Sequence, residues 1–147
     1  MKRLIVGVAL IMTGCASHNF DVMQPIDAQN KTVTVEIHSA TILPEVKRIL
    51  RKHGWTLTSD QGAVVTETQG DRKKTYNTFK TMYRLTGNAE MTDKCLGLGG
   101  LEPLVNYEFT MTDGKGSEVF VLSGTHTCAS GVVKRFEEAL NVAESRS

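Results

Sequence analysis

Val105-Asn106-Tyr107-Glu108-Phe109-Thr110-Met111-Thr112 is followed by Asp113-Gly114-Lys115-Gly116 and then by Glu118-Val119-Phe120-Val121-Leu122-Ser123. The first run alternates strictly, so Val105, Tyr107, Phe109 and Met111 project to one side of a strand and the polar residues to the other. Its glycine-rich sequel accepts the positive φ of a tight hairpin turn, and the third run returns as the partner strand. A half-buried antiparallel hairpin is therefore expected over 105–123.

Downstream, Val132, Val133, Phe136, Ala139, Leu140 and Ala143 form an apolar stripe at helical spacing, with Lys134, Arg135, Glu137 and Glu138 facing outward. Ser130 is the candidate N-cap of that helix. Upstream, Thr32-Val33-Thr34-Val35-Glu36-Ile37 alternates as a strand, and Ile42 or Leu43, Val46, Ile49 and Leu50 recur at helical spacing around Pro44. Gly54 supplies the C-terminal stop of this first helix. The cations Lys47, Arg48, Arg51 and Lys52 on its other side read as a solvated face that complements the helix dipole. Between the two helices, 55–58 and 63–68 read as a hairpin around Ser59-Asp60-Gln61-Gly62, and 76–85 as a further strand in which Phe79, Tyr83 and Leu85 share a face. A loop is expected from Gly87 to Pro103; its Gly97-Leu98-Gly99-Gly100 lacks the Gly-Lys-Ser/Thr ending or strand-to-helix setting of a phosphate-binding loop. The order is strand, helix, four or five strands, helix. The expected fold class is α+β: a two-layer sandwich, a mainly antiparallel sheet with two helices packed on one face.

The chain has 147 residues, which suits one domain. Its 17 Lys+Arg against 16 Asp+Glu remove the electrostatic argument for a nucleic-acid partner, and 40% hydrophobic residues suffice for a packed core.

The start of the chain reads differently. Lys2 and Arg3 precede the apolar run Leu4-Ile5-Val6-Gly7-Val8-Ala9-Leu10-Ile11-Met12, and Thr13-Gly14-Cys15 closes it with small residues. These are the three parts of a secretory signal. The run is about half the roughly 20 residues a membrane-spanning helix needs. Met12-Thr13-Gly14-Cys15 resembles the lipobox of bacterial lipoproteins, with Met12 where Leu is commoner. That resemblance implies cleavage before Cys15 and acyl chains, palmitate among them, on its new N-terminus. The sorting rule of that class favours inner-membrane retention when Asp follows the Cys. Ala16 stands there, so the resemblance implies the outer membrane, facing the periplasm. The expected organisation is a signal peptide over 1–14, a lipidated N-terminus and tether over 15–30, and one periplasmic domain over 31–147. Two of the 17 basic residues, Lys2 and Arg3, leave with the signal, so 15 remain against 16 acidic ones.

With Cys15 so assigned, Cys95 and Cys128 form an even pair in an oxidising compartment, and a disulfide is their simplest use. The alternative is a catalytic thiol at Cys128 with His126 two residues away, although no third, orienting group is visible. No metal-ligand spacing occurs, and no cofactor is expected. Asp60, Glu102, Ser123 and His126 remain as the titratable or nucleophilic residues from which an enzyme would have to be built. The first expectation for function is a non-enzymatic outer-membrane lipoprotein, an accessory or assembly factor that binds another envelope component. The second is a periplasmic binding module for a glycan, lipid or peptide, with Trp55, Tyr83 or Tyr107 lining its pocket. A small envelope hydrolase ranks third.

Overall fold

The structure is a computed structural model that describes residues 17–58, 63–78, 81–97 and 99–146. Its elements are β1 (His18–Val22), β2 (Thr32–His38), α1 (Ile42–Lys52), β3 (Thr56–Thr58), β4 (Ala63–Gln69), β5 (Arg72–Thr78), β6 (Tyr83–Gly97), β7 (Gly100–Asp113), β8 (Glu118–Cys128) and α2 (Ala129–Ser145). Strands and helices are thus mixed in one chain dominated by its sheet. The main sheet has six strands in the order β1-β8-β7-β6-β2-β3, while β4 and β5 pair with each other as a separate antiparallel hairpin.

The hairpin of the opening stretch forms as read. β7 and β8 are antiparallel with Phe109 opposite Leu122 and Met111 opposite Phe120, and Asp113 closes the turn by accepting from the Lys115 and Ser117 backbone amides. Val105, Tyr107, Phe109 and Met111 are all buried. α2 lays Phe136 edge-on against Phe109 and Phe120, at centroid distances of 6.3 and 6.2 Å. α1 buries Ile42, Val46, Ile49 and Leu50, and it touches α2, β2 and β3. The acidic Glu45 in its first turn and the basic Arg51 and Lys52 in its last follow the helix dipole.

Several expectations are corrected. The sheet is mainly antiparallel as expected, through β1-β8, β8-β7 and β7-β6, but β2 runs parallel both to β3 and to β6. A strand that leaves for a helix and returns to the same sheet edge comes back parallel, as β2-α1-β3 does. Residues 56–58 therefore pair with β2, the strand at 63–69 takes β5 as its partner, and the expected turn at 59–62 lies outside the described residues. The strand expected over 76–85 is two elements, β5 ending at Thr78 and β6 starting at Tyr83; Phe79 lies outside the described residues. Tyr83 and Leu85 do share a buried face.

The expected loop from Gly87 to Pro103 is instead the long distal half of the β6-β7 hairpin, registered down to Gly97 opposite Gly100, with a bulge at Thr92. Ser130 lies inside the first turn of α2, and Cys128 occupies the cap position.

The expected tether is also part of the fold from Ser17 onward. β1 adds an edge strand to β8, with His18 opposite Gly124 and Val22 opposite Phe120. The chain is then fastened along the sheet by Met23 N–H to Val119 O at 2.9 Å and by Arg146 Nη1 to Val22 O at 2.9 Å. Ile26 is buried, its N–H bonded to Ala143 O at the end of α2.

Candidate functional site

One end of the main sheet gathers the start of β1, the end of β8, the start of α2 and the distal β6-β7 hairpin. Directions follow from the pairings: β1 and β7 start there, while β6 and β8 finish there. Three features build this end.

The first is the disulfide. Cys95 on β6 is joined to Cys128 at the β8-α2 junction across a Cα separation of 5.9 Å. Glu102, opposite Cys95, reinforces the tie: its carboxylate accepts from the Ser130 amide at 2.6 Å and from the Ser130 hydroxyl at 2.7 Å. A carboxylate on the first turn of a helix satisfies amides that have no intrahelical partner.

The second is a bulge on β8. His126 takes a left-handed φ of 51°, and its amide donates to Asn106 Oδ1 at 3.0 Å. Thr127 then resumes pairing with Val105.

The third is a shallow polar depression of about 370 Å³ lined by Ser17, Asn19, Asn88, Asn106, Glu108 and Ser123, among others. Asn19, Ser123, Glu108, Asn88 and His38 occupy one row across β1, β8, β7, β6 and β2. Alternation makes this row the polar counterpart of the buried Phe109 side. Ser17 Oγ and Thr125 Oγ1 close one margin at 2.9 Å.

Behind the depression, three aromatic rings fill space left by two glycines. Phe109 lies over Gly87, where an added Cβ would come within 2.2 Å of Phe109 Cδ1. Tyr107 and His18 meet over Gly124, where a Cβ would fall 2.7 Å from each ring. Tyr107 Oη and His18 Nδ1 are 3.2 Å apart. Burial, then the nearby Arg135 charge, lowers the His18 pKa from its ordinary 6.5, which keeps the imidazole neutral at this contact near neutral pH. Burial also raises the Tyr107 phenol.

The three aromatics considered for a ligand pocket are core residues. Trp55 and Tyr83 meet edge-on at 5.4 Å, the Tyr83 hydroxyl accepts the Asp27 amide at 2.7 Å, and Trp55 Nε1 donates to Glu144 at 2.9 Å. Tyr107 borders the depression but is 4% exposed. The enzyme candidates do not converge. Glu102 caps α2, Ser123 sits in the polar row, and His126 is exposed at the bulge. Cys128 is consumed by the disulfide, which removes the thiol reading. Asp60 and Cys15 lie outside the described residues. Among the described residues no group of three His, Cys, Asp or Glu side chains is placed to hold a metal ion, and no helix is long and apolar enough to cross a membrane.

Among the described residues, a dense charge network lies at the opposite end and is structural. Glu144 receives Lys31 Nζ, His53 Nδ1 and Trp55 Nε1, each at 2.9 Å, and Lys52 reaches Glu137 at 2.7 Å. Burial raises the Glu144 pKa, but the hydrogen bonds from His53, Lys31 and Trp55 outweigh it and hold the carboxyl below its ordinary 4.5. A carboxylate depressed in the folded state stabilises above its unfolded pKa and loses that contribution as pH falls through the folded value. Glu144→Gln should therefore lower the urea midpoint above pH 4.5 and flatten the acid limb below it. Equal acid limbs in the two proteins would refute this role.

No family model and no curated protein matches the chain. Among solved structures, it is similar to PelC of Paraburkholderia phytofirmans, solved as a dodecamer: 16% identity, 90% of this chain and 100% of that chain covered, TM-score 0.56. TolB of Acinetobacter baumannii overlaps at 16% identity over 86% of this chain and 31% of its own, with a TM-score of 0.44. A minor lipoprotein of the same bacterium overlaps at 14% identity over 78% of this chain and 88% of its own, with a TM-score of 0.32. The last two scores carry no argument, and at 16% identity the likeness to PelC is one of fold.

Proposed function

We propose that this chain is a lipid-anchored, non-enzymatic accessory or assembly protein of the outer membrane that faces the periplasm and binds another envelope component. In this reading the two helices cover one face of the sheet as a two-layer sandwich and leave the polar face for recognition. The observation that carries the proposal is the position of Ser17, built against Thr125 two residues after Cys15. A lipid on Cys15 would hold the polar row and the edge of β1 close to the membrane in a fixed orientation, as suits a protein that presents one surface to a partner. The scattered Glu102, Ser123 and His126 support binding over chemistry.

The PelC structure is a dodecamer; extended to this chain, that makes further copies of itself one class of partner. The second reading, a binding module, is supported by the polar depression.

Cys15→Ser should abolish acyl labelling and release the protein from membranes. In the wild type, photo-crosslinkers placed at Asn19 and Glu108 should capture a discrete envelope protein in cells. An unchanged membrane fraction for the variant would overturn the anchor, and recovery of uncrosslinked monomer alone would overturn the partner.

A further inference from the structure

The distal hairpin carries the most exposed large apolar side chains of the described domain. Leu96 and Leu101 face each other across β6 and β7 and are 83% and 78% exposed, and Met91 farther down β6 is 65% exposed. A pair of leucines at the end of a two-stranded arm is an unusual thing to leave in water. The arm is also braced: the Cys95–Cys128 disulfide and the Glu102–Ser130 bonds hold it against α2 just below the leucines.

Its direction is set by the sheet. Tyr107, Gly124 and His18 occupy one row across β7, β8 and β1. From that row β7 runs six residues back to Leu101, about 20 Å at roughly 3.3 Å per residue. From the same row the chain runs three residues back to Cys15, at most about 10 Å. Both leave by the same end of the sheet. If Cys15 is held at the membrane surface by its acyl chains, the leucine tip overshoots that level by about 10 Å, which matches the roughly 5–10 Å to which interfacial apolar groups sink.

We infer that the β6-β7 tip is a second membrane contact, with Leu96 and Leu101 seated in the lipid surface that holds the Cys15 acyl chains. The inference rests on the lipoprotein reading and adds to it a fixed tilt of the domain. The occupant is lipid because the single residue between Cys15 and Ser17, Ala16, leaves no length for the tip to stand clear of the surface. Asp93 and Lys94, one charge of each sign and both exposed, sit farther from the tip at headgroup level.

The test uses the full lipidated protein reconstituted in vesicles of phosphatidylethanolamine and phosphatidylglycerol with brominated acyl chains. Leu96→Trp and Leu101→Trp place an indole at the tip, and Lys115→Trp places one in the turn at the far end of the sheet; emission of the buried Trp55 is subtracted. The tip indoles should shift to the blue and lose most of their emission to bromine, whereas the far indole should do neither. Mass spectrometry of the same samples reports acylation of Cys15. An unacylated Cys15 overturns the lipoprotein reading and this inference with it. An acylated protein with unquenched tip indoles overturns the inference alone. If Leu96→Ser with Leu101→Ser changes the molar mass in light scattering while the indoles stay unquenched, a second copy occupies the tip, and the inference is again overturned.

Discussion

Phe109→Ala should destabilise the domain by about 3–5 kcal/mol, the usual cost of emptying a buried Phe site. That is a large part of the roughly 5–15 kcal/mol that separates folded from unfolded states in ordinary domains. Phe109 is fully buried on β7, an interior strand of the sheet, between Tyr107 at 5.5 Å and Phe136 at 6.3 Å. Its ring also fills the space over Gly87, which no side chain of β6 can fill in its place. Truncation therefore leaves a cavity bounded by α2 on one side and bare backbone on the other. Urea denaturation should show the midpoint fall with an unchanged slope. Phe20→Ala, on edge strand β1 and 39% exposed, should move it far less. Equal effects of the two would contradict the placement of the core.

Removing the disulfide, by Cys95→Ser with Cys128→Ser, should cost about 3–4 kcal/mol in the loop-entropy account for cysteines 33 residues apart. The loss should be uneven. The middle of the sheet keeps the Phe109 and Phe136 packing, whereas the distal hairpin keeps its own ladder, the Glu102–Ser130 bonds and, at its base, the pairing of Leu104 with Cys128. Hydrogen exchange should therefore accelerate most at 93–97 and 100–104, and least around 107–111. Uniform acceleration along β7 would mean that the bridge acts on the whole fold through the unfolded chain and does not hold the arm.

These two results bear on what could be read from residues alone. The β7-β8 hairpin, β2 and both helices declare themselves because their apolar residues recur at the period of the element. The distal half of β6 does not. Gly87 and Ala89 occupy its inward positions, and Asn88, Glu90, Asp93 and Lys94 supply little strand propensity. Its inward surface is provided by the neighbouring strand, through the Phe109 ring over Gly87, and its far end by a cross-link; neither is a property of the segment itself. β1 was legible in principle, since Phe20 and Val22 alternate with Asn19 and Asp21, but five residues beside turn-prone neighbours read equally as linker. The parallel pairings of β2 depend on where the chain returns after α1 and after the β4-β5 hairpin, which no local pattern records. For the site, the cysteine pairing could be anticipated by parity. The polar row could not, because it exists only once five strands are aligned.

The docking of β1 onto β8 also has a consequence for biogenesis. His18 finds its partner at Gly124, so the first strand to emerge during synthesis or export must wait for one of the last. Closing a loop of that length makes late completion of the sheet a matter of chain order as well as stability. Until β8 has emerged, β1 has no strand to pair with in the sheet. On the proposed lipoprotein reading, the lipid-proximal edge of the sheet would therefore be the last to close, joining the anchor to the domain only once the C-terminal strand is in place.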